Sequence, residues 1–110
     1  MILVAFRSRL RPEAADAYAD MAAQVGPAAM AVPGYVSHKA YTAADGERVT
    51  LVEYESDEAV RIWARDKLHA QAKRAGRLSL FSWYRVQICE VRSERSHAPE
   101  PAGDAQAPSP

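Results

Sequence analysis

Trp63 and His69 stand six residues apart in the run Ile62 to Arg77, where apolar residues recur at helical spacing. Six residues is about one and two-thirds turns of a helix, so both rings can border one cavity between that helix and a neighbouring sheet. The indole offers a flat apolar platform. The imidazole titrates near neutrality and can take a proton from a phenol or an acidic carbon. These two are the candidate catalytic residues. Tyr54 and Tyr84 lie in runs of strand character and add phenol groups to the wall, and Ser8 adds a hydroxyl, which makes these three the candidate pocket residues. An apolar hollow with a few polar groups suits a small planar aromatic. Each residue also has a plainer use: a tryptophan anchors a core, a histidine near a helix start caps it, and tyrosines fill strands.

Other chemistries lack their residues. His38, His69 and His97 form no His-x-x-x-His pair, so no zinc motif is present. The lone Cys89 can close neither an internal disulfide nor a thiolate cluster and reads as a small buried hydrophobe. Glycines stand isolated at 26, 34, 46, 76 and 103, without the spacing that cradles phosphates or a dinucleotide. No cofactor and no metal are expected. Arg85 is expected to pair with Glu53 across the sheet rather than meet a ligand.

The elements that must hold this group follow from the patterning. Ile2 to Arg9 is apolar on both parities, a strand buried on two faces. Pro12 suits a first helical position, and Ala14, Tyr18, Met21, Ala22 and Val25 mark an amphipathic helix that Gly26-Pro27 should end. Tyr35 to Thr42 and Arg48 to Glu55 flank Asp45-Gly46, a hairpin signature. Ser56 supplies an N-cap with Asp57 and Glu58 in the first turn. The helix that follows pauses at Asp66-Lys67, resumes from Leu68 and loosens at Gly76, and Ser82 to Arg92 closes as a strand. The order predicts an α+β fold, a ferredoxin-like βαββαβ with a four-stranded antiparallel sheet and both helices on one face. Apolar residues on both strand parities leave a sheet face uncovered, so a homodimer is expected, two sheets facing each other as a dimeric α+β barrel.

Composition fits one globular domain: 110 residues, 48% hydrophobic, with 14 basic side chains against 14 acidic. Neutral net charge argues against a nucleic-acid partner, and the six apolar residues at the N-terminus are too few for a signal peptide or a membrane span, so the cytoplasm is the expected compartment. The charge is unevenly spread, with eight basic and two acidic residues over 60–92. That stretch is either a solvated helix face or a field that steers an anionic or phenolate ligand. Four of the seven prolines fall in residues 99–110. The domain therefore reads as residues 1–92, and 93–110 as a disordered Pro/Ala-rich tail.

Three segments resemble one family: Glu47-Arg-Val-Thr-Leu-Val-Glu-Tyr-Glu-Ser56, the run Ile62 to Arg77 containing Trp63 and His69, and Tyr84-Arg-Val-Gln-Ile-Cys-Glu-Val91. Together they look like the antibiotic biosynthesis monooxygenase domain over about residues 1–92. The resemblance implies a dimeric α+β barrel whose pockets oxidise phenol, quinol or anthrone-like aromatics with molecular oxygen, without metal or flavin. Anthrone-oxidising relatives accompany the pocket tryptophan with an asparagine four residues before it and a tyrosine six after; here Trp63 matches, and those places hold Ala59 and His69. A haem-degrading branch would need an asparagine, the tryptophan and a histidine where this chain has Ser8, Trp63 and Lys73, so its iron ligand is missing. The expected activity is a cofactor-independent monooxygenase. A non-catalytic small-molecule-binding dimer, or an isomerase or cyclase on the same fold, are the alternatives.

Overall fold

The computed structural model describes residues 1–75 and 79–98. Strand β1 (Ile2–Leu10) leads through a single 3-10 turn (Pro12–Ala14) into helix α1 (Ala15–Met30). Strands β2 (Tyr35–Thr42) and β3 (Arg48–Tyr54) form the predicted hairpin. Helices α2 (Asp57–Arg65) and α3 (Lys67–Ala75) follow, and β4 (Phe81–Glu90) closes the sheet. All pairings are antiparallel in the order β2-β3-β1-β4, the ferredoxin-like arrangement. At the hairpin Gly46 takes φ +93°, a backbone region that favours glycine.

Helix α1 runs through Gly26-Pro27, contrary to the predicted end. A proline removes one i→i−4 bond, and the Pro27 carbonyl still accepts from the Ala31 N–H at 3.2 Å. The last turn is held instead by its packing: Val25, Ala28 and Ala29 lie on the core cluster of Ile2, Val32, Tyr54, Ala59 and Trp63. A second cluster joins Ala14, Leu80 and Phe81, with Phe6, Leu10 and Tyr18 against it. These two clusters sit at opposite ends of one sheet face.

The register settles which residues share that face. Ile2, Val4, Phe6 and Ser8 stand opposite Tyr54, Val52, Thr50 and Arg48 on one side and Glu90, Ile88, Val86 and Tyr84 on the other. The opposite parity, with Leu3, Ala5, Val49, Leu51, Trp83 and Cys89, carries no helix among the described residues. Two expectations fail here. Because β1 separates β3 from β4, Arg85 stands opposite Arg7, while Glu53 accepts from the Ser37 hydroxyl at 3.0 Å, so Arg85 and Glu53 do not pair. Cys89 is exposed rather than buried, since it lies on the helix-free face of an edge strand. Gly76 and residues 99–110, most of the predicted tail, lie outside the described residues, and 93–98 have no regular structure. No described helix is long and apolar enough to cross a membrane.

Candidate functional site

The junction of α2 and α3 brings the two predicted catalytic residues together. Ser56 caps α2 by accepting from the Ala59 N–H at 3.3 Å, with Asp57 and Glu58 in the first turn. The helix stops at Asp66, whose ψ of 133° is extended and whose N–H donates to the Trp63 carbonyl at 3.1 Å. Asp66 then begins the next helix: its carboxylate accepts from the His69 N–H at 3.2 Å, three residues on, the geometry of an N-cap. The break folds His69 back over Trp63. Their rings stack with centroids 4.3 Å apart and planes 8° from parallel.

One further bond fixes the imidazole. His69 Nδ1 lies 3.0 Å from the Trp63 carbonyl oxygen, which can only accept, so Nδ1 carries the hydrogen. In the neutral ring Nε2 is then the basic nitrogen. Burial lowers the His69 pKa from 6.5, and the nearby Lys73 adds to the lowering; the hydrogen bond to Trp63 and the charge of Asp66 oppose it. At neutral pH the ring is uncharged and able to accept a proton.

Between the helices and the sheet lies a cavity of about 590 Å³, within the range of small-molecule sites. Trp63 and His69 line it, as do Tyr54 and Tyr84. Tyr54 is 1% exposed, and its hydroxyl finds no hydrogen-bond partner among the described residues. Burial, reinforced by the neighbouring Tyr35, pushes its pKa up to about 12, so Tyr54 is a donor and not a base. Tyr84 stands at the far end. On β1 the residues opposite Tyr54 and Tyr84 are Ile2 and Ser8, six apart, which is roughly 20 Å of strand. Tyr84 stacks on Phe6 there, with centroids 5.8 Å apart. Ser8 is buried on the same face but is not part of the cavity wall. The predicted residues thus mark two ends of one elongated hollow, with Ser8 outside it.

The basic stretch 60–92 contains one cation of that hollow, Lys73, but sequence reasoning missed the other, Arg48. Arg48 and Lys73 both line it, and among the described residues no aspartate or glutamate does. Arg48 occupies the same strand parity as Thr50, Val52 and Tyr54, and an arginine on the buried parity of a strand was the available signal. His38, on β2, also lines the cavity and hydrogen-bonds the Tyr35 hydroxyl through Nδ1.

A ferredoxin-like α+β protomer with an aromatic and imidazole-lined cavity between helices and sheet is the class this geometry defines. The chain belongs to the antibiotic biosynthesis monooxygenase family, whose model matches residues 1–75. Among solved structures, the Mycobacterium tuberculosis protein Rv0793 superposes with a TM-score of 0.76 at 23% identity, covering 86% of this chain and 98% of its own. A crystal structure of an antibiotic biosynthesis monooxygenase superposes at 0.72 with 14% identity, covering 83% and 98%. A Deinococcus radiodurans candidate for the same family reaches 0.77 at 11% identity, covering 89% and 99%. No curated protein matches the chain. Proteins of this family are typically small dimers.

Proposed function

We propose that the cavity binds a planar phenol, quinol or anthrone-like aromatic and oxidises it with molecular oxygen, with Trp63 as the platform and His69 as the base. The observation that carries this reading is the stacked pair in which the Trp63 carbonyl holds the Nδ1 hydrogen of a neutral His69. His69 Nε2 removes the acidic proton of the substrate. Lys73 favours the resulting anion. For an anthrone the step balances as substrate plus O2 giving quinone plus water: the carbanion reduces oxygen, a carbon–oxygen bond forms, and O–O cleavage releases water as the proton returns from His69. The reacting dimer is two copies joined through the helix-free face, where Trp83 is 37% and Tyr41 48% exposed.

The test is oxygen uptake by the chelator-treated full-length protein with anthrone and quinol substrates. His69→Ala is expected to lower kcat by roughly 10²- to 10⁴-fold, the usual contribution of a general base. Rates equal to wild type in His69→Ala and Trp63→Phe would end the enzymatic reading.

One observation favours a non-catalytic binder instead. Ala59 is 2% exposed and packed so closely on Gly34 that a Cβ added to that glycine would lie 2.8 Å from its methyl, and Ala59 is absent from the cavity wall. The amide of anthrone-oxidising relatives therefore has no counterpart here. Saturable binding of an anthrone without oxygen uptake would select this reading.

A further inference from the structure

We propose that Arg48 forms an anion subsite at the end of the cavity remote from Trp63 and His69, so that the ligand is an elongated fused-ring aromatic carrying a carboxylate at its distal end. The inference deepens the preceding reading, on which it rests for the aromatic ligand, and concerns binding alone.

Arg48 opens β3, opposite Ser8 on β1 and Thr42 on β2, on the face that carries the helices. Its guanidinium lies 4.7 Å above the ring of Tyr18, which is itself held edge-on by Phe81 at 5.9 Å. A cation–π contact uses the charge of the guanidinium and none of its acceptor-seeking N–H groups in a hydrogen bond, which leaves it able to meet a planar, bidentate acceptor. Among the described residues Arg48 has no ion pair: the bridges of neighbouring arginines join Arg7 to Glu47 and Arg9 to Asp45, and no described carboxylate lines the cavity. A half-buried cation facing an apolar hollow without a counter-charge matches a ligand that brings one. One guanidinium suits a monoanion. Lys73 lies about one helical turn after His69 on α3, and so on the side of the stacked pair.

Length follows from the strand. Arg48 and Tyr54 are six residues apart along β3, roughly 20 Å of backbone, and both line the same space. Trp63 lies with Tyr54 in one core cluster; Tyr18 packs against the other. A single ring cannot bridge that distance; an elongated fused-ring acid, met from both ends by the long Arg48 and Trp63 side chains, comes nearer to doing so.

The experiment is calorimetric titration of the full-length protein with anthracene-2-carboxylate and with its neutral carboxamide, at low and at high salt. The carboxylate is expected to bind about tenfold tighter or more, the scale of a charge-assisted hydrogen bond, with the gap narrowing in salt. Arg48→Gln should abolish the preference while leaving carboxamide affinity within about twofold, Arg48→Lys should keep part of it, and Lys73→Gln should leave it intact. Equal affinities in the wild type would overturn the subsite while leaving the aromatic cavity standing. So would a preference that survives Arg48→Gln or disappears in Lys73→Gln. Failure of both probes to bind would overturn the aromatic-cavity reading and the subsite with it.

Discussion

Removing the Tyr54 hydroxyl should make the ligand-free protein more stable. The side chain is 1% exposed, its ring is wedged between Ile2, Val32 and Trp63, and its oxygen has no partner among the described residues. Leaving a buried hydroxyl unsatisfied costs about 1–3 kcal/mol, whereas the void left by deleting one oxygen from an otherwise unchanged ring is small. Tyr54→Phe should therefore gain about 1 kcal/mol, a rise in Tm of roughly 4–8 °C for a domain this size. Urea and thermal unfolding at one fixed protein concentration measure the effect. A Tyr54→Phe protein that melts lower than wild type would refute the reasoning, since it would mean that the hydroxyl already holds a bond worth more than its desolvation.

Two further outcomes follow from the site and its supports. Because burial lowers the His69 pKa in the folded chain, the unfolded chain binds that proton first as pH falls; this contribution to stability is present above about pH 6.5 and is lost as pH drops below it, and His69→Gln should flatten this part of a urea-midpoint profile between pH 8 and 5.5. Gly34 has φ +93°, and its Cβ position lies 2.8 Å from the Ala59 methyl, so Gly34→Ala should destabilise by more than the roughly 1–2 kcal/mol of the backbone strain alone, read as a shift of the urea midpoint without a change in slope.

The parts of this molecule that local rules determine were legible in its residues. Ser56 caps the helix it should cap, Asp45-Gly46 turns the hairpin it should turn, and the alternation of Tyr84, Val86 and Ile88 puts all three on the cavity face. Where tertiary packing competes with a local rule, the local rule loses. Gly26-Pro27 does not end α1, because Ala28 and Ala29 find the core one turn later. The strand order places β1 between β3 and β4, which parts Arg85 from Glu53, a consequence of topology that no pair of residues announces.

The approach of His69 to Trp63 was expected for a reason that the structure replaces. On a continuous helix six residues rotate by about 600°, which leaves two side chains roughly 120° apart around the axis, able to flank a groove but not to stack. Stacking requires the helix to stop and restart, and Asp66 accomplishes both: its backbone N–H closes α2 on the Trp63 carbonyl, and its carboxylate opens α3 at the His69 amide. The Trp63 carbonyl, freed from continuing the helix, then accepts the imidazole hydrogen as well. Termination, capping and tautomer choice are thus one local event spread over seven residues. A substitution at Asp66 would therefore disturb the orientation of the base through the backbone amide at position 69.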